Sequence, residues 1–563
     1  MKTTPAAVTA VKGNDSSYYG ATATTGASAP HGDRIYGHNG DMEMATRLDI
    51  RPEGYHGSLI RKATIVSATL ACAAVALTLL VARNVVVYGA QNVDNFDGSV
   101  RSPCAAVGDQ ASVAEIQRQI RALRGDVQRI IHHVTVTEKG ESWKQLAEFV
   151  DRFGPRLAGT KHLEDAIDDR IKHLSQTLGP KQVSTESVAF PKWTRGDLEL
   201  TLLNAWNRGR NKSLHGLALG SSVATPKAGI TAEAIVVRSF DELNAMKDEK
   251  ITGKIVVYNQ RYKAYQKTVL YRTGGASAAA AKGAVAVLVR SVTDASLYTP
   301  HTGVLVYAEN SPMIPAISIT AEDAELMWRK QQRGEKLMVY LRTTSHTHID
   351  EAISRNTIAD LKGNKAPDEL VVIGGHIDSW DVGQGAMDDG GGVLISWRVP
   401  EVLTKLELKP RRTIRTVLFT AEELGLYGGH AYFNGHKHEA AKMQYIMESD
   451  YGTFTPFGIS TSVKNDKALC ILWETVQLLD AINATVVQKS NDGPDIQQWF
   501  QRGVPGGGLY NDNARYFHYH HTNADTMSMM SANALDRCTA VWAAVAYVLA
   551  EIETRIPHDS VSA

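Results

Sequence analysis

Gly375-His376-Ile377-Asp378-Ser379-Trp380-Asp381-Val382-Gly383-Gln384-Gly385-Ala386-Met387-Asp388-Asp389-Gly390-Gly391-Gly392 places an imidazole and several carboxylates on a glycine-rich frame. What flanks this stretch decides the fold. Before it, 369–373 reads as a short apolar strand, and after it 393–405 reads as a helix. The alternation continues with a strand at 414–419, a helix from about 425, a strand at 444–447 and a helix over 466–483. A long apolar helix at 535–553 closes the pattern. Strands alternating with helices predict an α/β fold whose central sheet is mixed, mostly parallel and sandwiched by helices. Ligands of such sheets bind outside the carboxyl ends of the strands.

The polar clusters fall at those ends. They are His376 with Asp378, Asp388-Asp389, Glu422-Glu423, Glu448-Ser449-Asp450, and His520-His521-Thr522-Asn523-Ala524-Asp525-Thr526. Each has an ordinary reading when taken singly. Asp388-Asp389 beside three glycines could be a turn, Glu422-Glu423 could open a helix where the dipole favours acids, and the histidines could be solvated. A dinucleotide loop is excluded, because in Gly383-Gln384-Gly385-Ala386-Met387-Asp388 an aspartate stands where the third glycine belongs. Together the clusters supply the donors that Zn²⁺ prefers when one position must stay open for water.

Working outward, 143–178 reads as helical with a break at Phe153-Gly154-Pro155. The segment 200–345 has short β-rich runs at 234–237, 254–258, 284–289 and 317–319, and is expected to be a small α/β module inserted in the larger domain. Val113, Ile116, Ile120, Leu123, Val127, Ile130 and Val134 alternate spacings of three and four. That pattern suits a helix packed on the following domain or a dimeric stalk, and Gly125 weakens the second. Residues 1–60 are rich in Ala, Thr, Gly and Ser and read as disordered. The run 63–82 has no charge over 20 residues, enough helix to span a bilayer. Arg47, Arg51, Arg61 and Lys62 before it outnumber Arg83 and Arg101 after it, which places the N-terminus in the cytosol and the rest in a lumen or outside. The alternative is a signal peptide cleaved near Tyr88-Gly89-Ala90, which would make the protein secreted. Sequons at Asn211-Lys212-Ser213 and Asn483-Ala484-Thr485 agree with a lumenal glycoprotein.

Composition narrows the classes. Apolar residues at 43% and charged residues at 21% of 563 exclude wholesale disorder, collagen and a multi-span membrane protein. Sixty basic residues balance sixty acidic ones, which gives no support to a nucleic-acid partner. The four cysteines, Cys72, Cys104, Cys470 and Cys538, have neither the density of a disulfide scaffold nor CxxC spacing. Three of them fall after the apolar run, and a buried free thiol is the expectation for the odd one.

These residues resemble the co-catalytic zinc exopeptidases of the aminopeptidase Y and glutamate carboxypeptidase type. The resemblance runs from about Phe149 to Arg555 and includes 154–160, 191–196, 375–392 and Met447-Glu448-Ser449-Asp450 with Gly452-Thr453-Phe454. It implies two Zn²⁺ ions. Asp388 would bridge them, His376 and Asp450 would complete one site, and Glu423 and His521 the other. Glu422 would be the general base acting on a zinc-bridging hydroxide, and Asp378 would orient His376. His521 is preferred to His520 because His521-Thr522-Asn523-Ala524-Asp525-Thr526 fits the family pattern. The resemblance also implies a protease-associated domain at 200–345, homodimerisation, and hydrolysis of short peptides, chiefly unblocked dipeptides. The catalytic domain would then run from 138 to 199 and from 346 to 556, after a stalk or linker at 83–137 and before a tail at 557–563. A receptor that keeps the fold without catalysis, or an acyltransferase of the glutaminyl cyclase type, are the alternatives. The complete donor set argues against both.

Overall fold

In the computed structural model, residues 102–560 apart from Asn491 are described. The tail 1–60 and the apolar run 63–82 lie outside the described residues. Among the described residues no helix is long and apolar enough to cross a membrane.

The strand before the glycine-rich loop, Ala366–His376, is buried from Leu370 onward and lies near the centre of an eight-stranded sheet. Its β-branched residues suit a strand covered on both faces. Arg412–Phe419 and Met443–Glu448 pair with it in parallel, and Gly506–Asn511 extends this parallel core on the Met443–Glu448 side. Antiparallel pairings flank the core. His346–Leu361 and Val183–Thr194 follow on one side, and Pro456–Thr461 joins on the other before Val486–Lys489 ends the sheet in parallel. The sheet is therefore mixed, as expected, with its parallel strands concentrated where the polar clusters lie.

Helix Gly391–Lys405 is buried from Gly391 to Leu403 and packs against Ala532–Glu551, which is buried on nearly every side. Two indoles inside this layer are satisfied: Trp397 Nε1 donates to Gln145 Oε1 and Trp542 Nε1 to Ser396 Oγ, both at 3.0 Å. Pro400 lies inside the helix and cannot donate to the Ser396 carbonyl. The Thr416 hydroxyl donates to that carbonyl instead, at 3.4 Å.

Residues Leu198–Thr343 build a second eight-stranded sheet. Leu198 pairs with Thr343, and just outside it Thr194 pairs with His346. The insert thus continues an edge ladder of the first sheet rather than hanging from a loose linker. The expected strands at 234–237, 254–258, 284–289 and 317–319 correspond to Ile230–Val237, Ile255–Tyr258, Ala286–Arg290 and Ala316–Ile319.

The heptad residues lie on helices Gln110–Ala122 and Arg124–His132 and the turn that follows. Ile116, Ile120, Val127, Ile130 and Val134 are buried in one apolar cluster with the Ala532–Glu551 helix. Cys104 and Cys470 form a disulfide that ties the start of this segment to helix Asp466–Val476, and Cys538 is the buried free thiol.

Candidate active site

The parallel strands end side by side, and their ends carry the donors. His376 closes its strand, Glu422 and Glu423 follow Arg412–Phe419, and Asp450 follows Met443–Glu448. Asp388 comes from the loop leading into helix Gly391–Lys405, and His521 from the loop after Tyr516–Tyr519. Ala421 and His521 both have positive φ, at 55° and 61°, so the chain turns sharply where it presents Glu422 and His521.

Asp388 is the centre. Its Oδ1 lies 3.2 Å from His376 Nε2, which is also 3.1 Å from Asp450 Oδ1. Its Oδ2 lies 3.3 Å from His521 Nε2, which is 2.9 Å from Glu423 Oε2. One carboxylate thus faces two separate donor sets. His520 stacks on His521 at 3.5 Å between ring centres, and its Nε2 is 3.6 Å from Asp388 Oδ2, so it stands beside the second set. Donor atoms of His376, Asp388 and Asp450 all lie within 4.8 Å of one another, as do those of Asp388, His520 and His521.

The surroundings fix these groups. His376 Nδ1 faces the Asp378 carbonyl at 3.1 Å, whereas the Asp378 carboxylate accepts from the Glu422 and Glu423 amides at 3.1 and 3.3 Å. Asp378 faces His376 Nδ1 with its carbonyl, its Oδ1 lying 3.7 Å from the same nitrogen, and its carboxylate also holds the backbone of the two glutamates. His521 Nδ1 faces the Thr302 carbonyl at 3.2 Å, and the Thr302 amide donates to the His521 carbonyl at 3.0 Å. Nδ1–H donation to a carbonyl leaves the Nε2 lone pair turned towards Asp388.

Three supporting residues have a task that the sequence does not announce. Asp525 accepts from the amides of Ala386, Met387 and Asp388 at 3.1, 2.7 and 3.1 Å and so clamps the loop that carries Asp388. Asp389 accepts from the His376 and Gly392 amides at 3.1 and 3.0 Å. A Cβ on Gly392 would lie 1.9 Å from the Ser449 carbonyl and 2.4 Å from the Asp389 carboxylate, so glycine is required there. Buried Arg156 donates to the carbonyls of Ile377, Gln384 and Gly385 from 2.8 to 2.9 Å.

Electrostatically the site is crowded with acids. Burial, with Glu423 and Asp450 adding repulsion, holds the Glu422 carboxyl well above its ordinary range. Burial does the same to Glu423, helped by Asp388. Burial also opposes ionisation of Asp388, but His376 and His521 outweigh it and hold that carboxyl well below its ordinary range. Asp525, buried and facing Asp388, is pushed up to about 7. Two oxygens aimed into the cluster, Asp388 Oδ2 and Glu423 Oε1, make no hydrogen bond among the described residues. Buried acceptors without donors beside converging imidazoles form a donor set that fits cations.

The fold is that of a metallopeptidase class: the model described as Peptidase family M28 matches residues 356–546. The chain belongs to the carboxypeptidase Q group of that family. It is 45% identical over 452 residues to Carboxypeptidase Q of Bos taurus, a match spanning 80% of this chain and 94% of that one. It is 44% identical over 447 residues to Carboxypeptidase Q of Homo sapiens, spanning 79% and 93%. Among solved structures, a Peptidase M28 precursor from Shewanella amazonensis SB2B is 31% identical with a TM-score of 0.73, covering 78% of this chain and all of that one, 100%. BSAP, a zinc aminopeptidase from Bacillus subtilis, shares the fold at 21% identity and a TM-score of 0.54, covering 74% and 96%.

Proposed function

We propose that the chain is a dizinc exopeptidase that hydrolyses short peptides, chiefly unblocked dipeptides, with Glu422 as general base. The observation that carries this reading is Asp388, whose two oxygens face two donor sets on opposite sides. His376 and Asp450 would hold one zinc, Glu423 and His521 the other, and Asp388 both. Zinc bound there supplies Lewis acidity and lowers the pKa of a coordinated water towards 7. Glu422 takes the proton from the attacking water and delivers it to the leaving amine. Asp378 holds the Glu422 amide at 3.1 Å and so keeps its carboxylate at the mouth of the cluster. Asp525 and Arg156 keep the Asp388 loop in place against the pull of the opposing charges.

The insert at 200–345 is read as a protease-associated domain, because a compact α/β sheet there shares a cavity with the donor cluster. A lumenal or extracellular location is supported by the Cys104–Cys470 disulfide and by exposed asparagines at both sequons, with 63–82 as a membrane anchor. Protease protection of the N-terminal tail in sealed vesicles tests that topology. The functional test is zinc content together with hydrolysis of an unblocked dipeptide, with and without a chelator. Two zinc ions per chain and chelator-sensitive cleavage are expected. A metal-free protein with full activity would overturn the reading.

A further inference from the structure

Glu422 stands on a short turn, Glu422-Glu423-Leu424-Gly425-Leu426, that is fastened at both ends. At its start the Asp378 carboxylate accepts from the Glu422 and Glu423 amides. Within it the Glu422 carbonyl accepts from the Gly425 and Leu426 amides, both at 2.8 Å. At its end the chain enters helix Tyr427–His436, whose N-cap, Leu426, offers no side-chain acceptor to the first-turn amides. The acceptor comes from 66 residues further on: Asp495 Oδ1 accepts from the Gly429 amide at 3.0 Å. The two segments approach so closely that a Cβ on Gly429 would lie 2.4 Å from Asp495 Oδ1 and 2.6 Å from its carbonyl oxygen, so only glycine fits there. Asp495 has a second attachment. Its own amide donates to Glu448 Oε2 at 3.0 Å, and Glu448 is the last residue of the strand that leads to Asp450. Residue 495 therefore bridges the turn that carries Glu422 and the strand end that carries Asp450, and its neighbour Pro494 lines the same cavity as both. Asp495 is only 2% exposed, and its Oδ2 makes no hydrogen bond among the described residues. Folded proteins keep few such atoms, and each is costly.

We propose that Asp495 is a positioning residue for hydrolysis: by holding the first turn of helix Tyr427–His436 against the strand end at Glu448, it fixes where Glu422 stands relative to the donor cluster. This rests on the reading of Glu422 as general base and adds what sets its aim. Asp378 secures only the near end of the turn, and Asp495 secures the far end. A displacement near 1 Å at a reacting group is enough to cost about 100-fold in rate.

The test is steady-state hydrolysis of Ala-Leu by the zinc-loaded full chain, with zinc content and melting temperature read on every variant and each assay run below that variant's melting temperature. D495A should lower kcat roughly 10- to 100-fold while KM and zinc content stay as in the wild type. D495N keeps the oxygen that accepts from Gly429 and should recover most of kcat. G429A drives the helix off Asp495 without altering the carboxyl and should lose kcat as D495A does. In an E422Q background, D495A should have no further effect on kcat, because no base is left to aim. A merely structural role would lower the rate by the same factor in both backgrounds, and that result would overturn the assignment. So would an unchanged kcat in D495A or G429A, a D495N variant as slow as D495A, or a loss confined to KM or zinc content. If E422Q itself turns over at the wild-type rate, the base reading fails and the positioning role with it. If E422Q is impaired and the two factors are equal, the positioning role alone fails.

Discussion

Glu422 and Glu423 are adjacent in sequence, yet the structure sets them different tasks. Glu423 Oε2 pairs with His521, while Glu422 lines the open cavity. Replacing Glu422 by Gln preserves shape and removes the proposed base. Zinc content should be unchanged while kcat falls by about 10³-fold or more, and undiminished turnover would count against the role. Asp388→Ala removes the shared carboxylate, so both metals should be lost together on elemental analysis. Retention of two zinc ions would show that Asp388 bridges nothing. The convergence of these residues was legible in sequence because imidazoles and carboxylates stood at predicted strand ends on a glycine frame, and their proposed roles came from the family resemblance. Asp389 and Asp525 stood in the same clusters, but their task and that of Arg156 were not legible, because their partners are backbone amides and carbonyls, and no side-chain motif announces such a clamp. Asp378 has a further contact that no motif announces: its carboxylate reaches across 44 residues to the amide of Glu422.

At the scale of elements, helix Tyr427–His436 is pinned to the edge strand Val183–Thr194 by its last residue. His436 Nε2 contacts Glu186 at 2.5 Å and Nδ1 contacts Glu439 at 2.8 Å. Hydrogen bonds to Glu186 and Glu439 raise its pKa to about 9, against the opposing effect of burial. The helix C-terminus also favours a cation. The folded state therefore binds the proton more tightly than the unfolded chain. Its stabilisation is complete below the ordinary value near 6.5 and is lost as pH rises through about 9. Denaturant unfolding should show a fall of roughly 1–3 kcal/mol between pH 6.5 and 10 that is absent in H436N. A slope identical in the two proteins would remove His436 from the account. The strands themselves were legible because short β-branched runs between glycines have few other uses. The edge strand Val183–Thr194 and its neighbour His346–Leu361 were not, because their solvent-facing residues break the apolar run.

At the scale of the whole molecule, Cys104–Cys470 is the covalent closure among the described residues, and it spans 366 positions. No spacing rule connects cysteines so far apart, so the pair was invisible until the fold brought them together. Reducing it, or replacing both by serine, should lower stability by about 2–4 kcal/mol, with activity at 25 °C intact because neither residue lines the cavity. An unchanged melting temperature would show that apolar packing alone holds the N-terminal helices. The insert raises a different question, that of separability. It is continuous with the edge ladder of the main sheet, and its Thr302 carbonyl faces the Nδ1 of His521. The inserted lobe therefore sets the tautomer of a residue on the other lobe. A version trimmed of 198–343 would keep a complete list of donors and lose the means of aiming one of them. The two lobes cannot be exchanged between relatives as independent parts, and variation in either must be matched by variation in the other.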